Sequence, residues 1–165
     1  MAASGARQGV PLRAARAPAL DESRIAAAFE RVPGLVDVLR AAAPYASVDD
    51  VMRRAAQLVG AMSEDERVAL LDAHPRIGAD RAGLSAVSAH EQGDAADAAT
   101  TRELAALNDE YERRFGFRFV VFVAARPKAE ILPVLRERVE QTRDEELATG
   151  LDEFLAIARD RLSRA

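Results

Sequence analysis

The sequence predicts an all-α single domain, a bundle of about seven helices with one buried extended segment near residues 117–123. Three observations lead there. Alanine is abundant and aromatics make up only 5% of the chain, a composition suited to close helix packing rather than a β-rich core. Beyond Asp21, apolar residues recur at helical spacing through most of the chain. Only one stretch alternates with the period of a strand, and a lone strand cannot satisfy its own backbone. With 165 residues, 49% of them apolar, the chain is long enough for one domain with a real core.

The first twenty residues, MAASGARQGVPLRAARAPAL, differ from the rest. They carry Arg7, Arg13 and Arg16, no acid and two prolines, without helical period. A transit peptide has a similar composition, but the missing period predicts a disordered tail over 1–20 and a helical domain over 21–165. Residues 48–62 are the clearest helix. Val48, Val51, Met52, Ala55, Leu58, Val59 and Met62 fall within about 120° of one another at 100° per residue, and Ser47 supplies an N-cap. Ser63 and Glu66 form the S-x-x-E of a capping box. The helix they open runs to about Ala73, because a residue before proline avoids the α region and Pro75 follows.

Residues 75–84 hold one proline and two glycines and read as a loop. A helix then begins near Ser85 or Ser88, weakens at Gly93 and Asp94, and strengthens from Thr100 to Phe115, with Leu104, Leu107, Tyr111 and Phe115 on its buried stripe. In FGFRFVVFVAARP, residues 115–127, Phe117, Phe119, Val121 and Val123 alternate with Arg118, Val120 and Phe122. This is the extended connection. A further helix is predicted over 128–141, kinked or started late at Pro133. The last covers about 144–163, with Leu147, Leu151, Phe154, Leu155, Ala158 and Leu162 on one face.

Composition also excludes functions. No run approaches the roughly 20 apolar residues that cross a bilayer, so a soluble, cytoplasmic protein without a membrane partner is expected. With no cysteine and two histidines, neither a disulfide framework nor a thiolate or histidine-rich metal site can be built. A net charge of −4 speaks against a nucleic-acid partner, which calls for a basic face. Lys128 is the one lysine among 23 basic residues, a bias to which no function is assigned.

Three places carry candidate chemistry. His74, in AHPRIGAD at 73–80, is either a histidine at the negative end of a helix dipole or a general acid or base beside a loop that suits a pocket rim. In SAHEQ at 88–92, Ser88 and Glu91 again fit a capping box. Yet Ser88, Glu91 and Gln92 also project to one side of a helix that starts at Ser85, with His90 pointing away to solvent. Arg161 lies about 20° from Phe154 on the wheel of the last helix, within its apolar stripe. Such an arginine either snorkels to water or meets an anion, from the protein or from a ligand.

The ordered set is more specific than any member. H-P-x-x-G at 74–78, S-x-x-E-Q at 88–92, L-N-x-x-Y at 107–111, R-F-G-F-x-F-V-V at 114–121 and I-A-x-x-R-L at 157–162 occur in one order. With them the chain resembles the 2-oxo-4-hydroxy-4-carboxy-5-ureidoimidazoline (OHCU) decarboxylase family over about residues 21–163. The resemblance implies an all-α enzyme, commonly a homodimer, that uses neither metal nor organic cofactor. It implies loss of CO2 from a ureidoimidazoline acid and protonation of the product to (S)-allantoin, in urate breakdown. By the same resemblance His74 and Glu91 are catalytic. Pro75, Ser88 and Gln92 surround the substrate, the backbone of Phe119, Val120, Val121, Phe122 and Val123 holds its ring, and Arg161 reaches it from the last helix.

The chemistry agrees with such a set. The substrate's carboxylate is on a carbon next to a ring C=N, which accepts the electrons that CO2 leaves behind. The protein then has to supply orientation, charge management and a proton on one face. The chain departs from the family's pattern after Glu91–Gln92, where Gly93–Ala99 reads GDAADAA instead of an Ala-Gly-Leu run. It also has a shorter loop between His74 and Ser88 and only a loose match around Val32–Tyr45. Two other readings stand beside this one: a non-enzymatic helical module for a purine breakdown product, and a decarboxylase or hydrolase of a related ureido acid.

Overall fold

The computed structural model describes residues 20–78 and 98–164. Among these, seven helices and no strand are found: α1 (Glu22–Ala28), α2 (Pro33–Ala41), α3 (Val48–Ala61), α4 (Glu64–Asp72), α5 (Ala98–Phe115), α6 (Lys128–Val139) and α7 (Arg143–Arg164). The predicted tail lies outside the described residues apart from its last member. Leu20 is buried, and its carbonyl accepts from the Tyr45 N–H at 3.3 Å, so Leu20 belongs to the folded domain and not to the tail. The helix expected to begin near Ser85 or Ser88 also lies outside the described residues.

Local chemistry sets the helix ends. Ser47 caps α3 by accepting from the Asp50 N–H. At the start of α4 the capping box is complete: the Ser63 hydroxyl accepts from the Glu66 N–H, and the Glu66 carboxylate accepts from the Ser63 N–H at 2.7 Å. The Ser63 N–H first, and then the Ser63 hydroxyl donating to the same carboxylate at 2.8 Å, lower the Glu66 pKa. α6 starts at Lys128 rather than late, with Pro133 inside it. Proline removes the bond to the Ala129 carbonyl, but both residues are exposed, so water can serve that carbonyl. Gly116 ends α5 in the left-handed region at φ +79, which costs an L side chain about 1–2 kcal/mol.

α7 is the centre of the packing. Its 22 residues span about 33 Å, and it packs against α1, α3, α4 and α5, while α5 also packs along α6. The predicted stripe is inside: Leu147, Leu151, Phe154, Ala158 and Leu162 are buried, and Leu155 is half-buried. The stripes of α3 and α5 are likewise turned inward.

Residues 117–123 form no strand and thread the core. Phe117, Phe119, Val121 and Val123 are buried as the alternation predicts, but Val120 is buried too, so protein covers both faces. Phe119 packs on Tyr111, with ring centroids 5.3 Å apart. Burying each such ring contributes about 1.5–3 kcal/mol. Side chains take the place of a neighbouring strand. Arg118 N–H donates to the Asp72 carboxylate at 2.9 Å and Phe122 N–H to Glu153 at 2.6 Å. The Val120 carbonyl accepts from Arg138 at 2.8 Å, and that of Phe122 from Arg126 at 2.7 Å. Sequence alone gave no hint of these partners.

A buried polar cluster anchors the segment. Glu146 takes the Tyr111 hydroxyl at 2.6 Å and the Arg138 Nε at 2.8 Å on the same oxygen, while the Arg138 guanidinium lies 4.7 Å over the Phe119 ring. Burial, then the bond to Glu146, pushes the Tyr111 phenol well above its ordinary pKa, so it stays a donor. One carboxylate thereby joins α5, α6 and α7 behind the extended segment.

Candidate active site

The end of α4, the extended segment and the last turns of α7 meet at one cleft. It has a volume of about 450 Å³, mouth included, and is lined by His74, Pro75 and Ile77, by Phe119–Val123, and by Ile157 and Arg161. Only about 40 Å³ of that is space that the centre of a water molecule can occupy, so the cleft is narrow as the described residues shape it. His74, Pro75, the five residues of the segment and Arg161, scattered over nearly ninety positions of sequence, are thus brought together. Ser88, Glu91 and Gln92 lie outside the described residues, as does His90.

His74 follows α4 directly, beyond its C-cap Ala73. Both readings of it from sequence meet here, because the helix stop and the pocket edge coincide. Its N–H donates to the Leu71 carbonyl at 3.0 Å. Its ring Nδ1 is 3.2 Å from the Leu70 carbonyl. A carbonyl only accepts, so Nδ1 carries the proton in this contact, and whenever the ring is neutral its lone pair is on Nε2. The edge of Phe154 packs against the imidazole at 5.3 Å between centroids, and only 8% of the residue is exposed. The ring is therefore held in one tautomer and against one wall. Gly78, the last residue of the H-P-x-x-G motif, turns the chain at φ +83.

Arg161 does not snorkel. Its side chain is 8% exposed, with Nη2 3.3 Å from a Glu30 oxygen and Nη1 donating to the Ala28 carbonyl at 3.3 Å. The guanidinium meets the carbonyl end of α1 and a carboxylate, which offsets the cost of burying a cation. Its fork is oriented from one side by the protein and borders the cleft on another. Arg159, nearer the edge of the stripe, reaches outward to Asp49 instead.

Between these two groups runs the backbone of Phe119–Val123. No hydrogen bond among the described residues engages the amides or carbonyls of Phe119 and Val121. Backbone groups left open at a cleft wall seek a polar partner. The site thus combines apolar walls, one imidazole, one oriented guanidinium and open peptide groups. Such a set fits a small, polar, anionic heterocycle.

Ile77 and Ile157 are lining residues that the sequence reading missed. A signal existed for Ile157, which is one helical turn before Arg161 and so shares its face. Ile77 is at an open position of its motif, and nothing local marks it.

Comparison with known proteins agrees with this architecture. A family model described as OHCU decarboxylase matches residues 18–163. The 2-oxo-4-hydroxy-4-carboxy-5-ureidoimidazoline decarboxylase of Haloferax volcanii is 31% identical over 139 residues, 82% of each chain. The uric acid degradation bifunctional protein PucL of Bacillus subtilis is also 31% identical over 139 residues, which are 82% of this chain and 28% of that longer protein. A crystal structure of OHCU decarboxylase in the presence of (S)-allantoin shares the fold, with a TM-score of 0.69 and 21% identity, covering 86% of this chain and 96% of the other. With its motifs in order, the family model matched over residues 18–163 and the Haloferax volcanii relative aligned over 82% of its length, the chain belongs to the OHCU decarboxylase family.

Proposed function

We propose that this cleft decarboxylates 2-oxo-4-hydroxy-4-carboxy-5-ureidoimidazoline, releasing CO2 and leaving (S)-allantoin, a step of urate degradation. One observation supports the reading above the others. An imidazole of fixed tautomer, an oriented guanidinium and the open peptide groups of Phe119 and Val121 line one cleft.

The reaction asks little of the protein beyond placement. The C–C bond to the carboxylate breaks, its electron pair joins the two ring carbons, and the pair of the neighbouring C=N moves to its nitrogen, which takes a proton. The 4-hydroxyl gives up its proton as its carbon becomes a carbonyl, and the carbon of the former C=N takes a proton on one face. The substrate brings its own electron sink, so this route calls for neither metal nor organic cofactor. His74, with its lone pair on Nε2, takes the 4-hydroxyl proton. Glu91 positions the ring and shapes its protonation. Arg161 binds the anionic edge, the peptide groups of Phe119–Val123 hold the ring, and Pro75, Ser88 and Gln92 complete its surroundings. The enzyme is taken as a homodimer, as the family resemblance implies, and as cytoplasmic. Among the described residues no helix is long and apolar enough to cross a membrane.

The test is to add the pure protein to freshly generated urate-oxidation product and follow optical activity. The wild type should produce the (S)-allantoin signal rapidly. His74→Ala should slow it by about 10²–10⁴-fold, the usual worth of a positioned acid or base. A His74→Ala variant as fast as wild type removes His74 from the mechanism, and wild-type binding without acceleration makes the protein a binding module.

A further inference from the structure

We propose that Arg118 is the positioning residue that sets His74 against the substrate-holding backbone, an inference that rests on the role given to His74 above. Arg118 is absent from the lining of the cleft. In R-F-G-F-x-F-V-V it occupies the position that the motif leaves open, so the sequence assigns it nothing.

The structure shows it gripping the end of α4 twice. Its main-chain N–H donates to the Asp72 carboxylate at 2.9 Å, and its Nη1 donates to the His74 carbonyl at 2.6 Å. Two bonds on either side of Ala73 fix an orientation, where one would leave a pivot. The grip also answers a local need. The last carbonyls of a helix lack intrahelical donors, and cations are favoured beside them. α4 has no basic residue in its last turn, and Pro75, which follows His74, has no N–H to contribute. Arg118 brings both the donor and the charge from a distant part of the chain.

The consequence is geometric. The Leu70 carbonyl fixes the imidazole to the frame of α4. Arg118 fixes that frame to the extended segment, whose next five residues, Phe119–Val123, line the cleft. The spacing between the imidazole and the peptide groups that hold the ring thus passes through one residue, by its main-chain N–H and by its guanidinium. A displacement of about 1 Å at a reacting centre can cost on the order of 10²-fold in rate.

The test compares wild type with Arg118→Met and Arg118→Lys. Arg118→Met should lower kcat about tenfold or more while KM stays within about threefold and the unfolding midpoint changes little. Arg118→Lys should recover most of the loss, because an ammonium can donate to the same carbonyl. Nitrogen NMR of the imidazole provides a readout independent of turnover, and with two histidines in the chain the His74 signals are readily assigned. The His74 ring signals should shift or broaden in Arg118→Met and stay near wild type in Arg118→Lys. Unchanged kcat together with unchanged His74 ring signals in a folded Arg118→Met protein overturns the proposal. So does a loss of kcat that only follows the unfolded fraction. An inactive wild type would refute the decarboxylase reading, and the ring signals would still decide the role of Arg118.

Discussion

At the scale of residues, the buried cations and His74 carry the most information. Arg161 was legible as a candidate because the wheel of the last helix places it among apolar neighbours. Whether it reached water or an anion depended on what α1 brings beside it, and α1 brings the Ala28 carbonyl and Glu30. Its two terminal nitrogens already answer to different partners, so the planar fork has a set direction. Lysine has one charged nitrogen and cannot keep that direction while binding a ligand. Arg161→Lys should therefore raise KM by roughly 10–100-fold, the worth of one charge-assisted hydrogen bond, with a smaller change in kcat. Steady-state kinetics on the same optical signal measure this, and an unchanged KM would take Arg161 out of substrate binding. His74 shows the same division of information. Its position before Pro75 could be read directly, but its fixed tautomer depends on Leu70 one turn earlier and its packing on Phe154 in another helix.

At the scale of elements, the extended segment was recognised from alternation and from the lack of a pairing strand. What replaces that strand was hidden, because its partners come from positions 72, 126, 138 and 153 and carry no shared pattern. Arg138 and Glu146 are the heart of that support, a buried pair with Tyr111 as third member. Glu146→Ala leaves a guanidinium and a phenol buried without their acceptor, and should destabilise the fold by about 3–5 kcal/mol. Adding Arg138→Met to that variant should cost less than the same change in wild type, because the orphaned charge leaves with it. Urea unfolding of the four proteins of this cycle provides the comparison. Strictly additive losses would mean that the two groups do not act as a pair.

At the scale of the whole molecule, α7 organises everything else. Its apolar stripe holds α1, α3, α4 and α5 together, and the same helix carries Phe154, Ile157 and Arg161 to the cleft. Core and site therefore share one face of one helix, and a change in its register would disturb both. The proposed homodimer belongs to this scale as well. Sedimentation equilibrium of the pure protein should give twice the chain mass, and a single-chain mass across the working concentration range would remove the dimer from the reading. The sequence by itself determined the described helices from residue 48 onward, the caps at Ser47 and Ser63, the inward stripes and the order of the family motifs, because periodicity and capping act over a few residues. Only the tertiary structure decided that His74, Arg161 and the Phe119–Val123 backbone share one cleft, that Arg161 has Glu30 beside it, and that Arg118 ties the segment to His74. Those pairings join positions dozens of residues apart, and nothing in the spacing of a single chain records which distant groups the packing of helices will bring within hydrogen-bond reach.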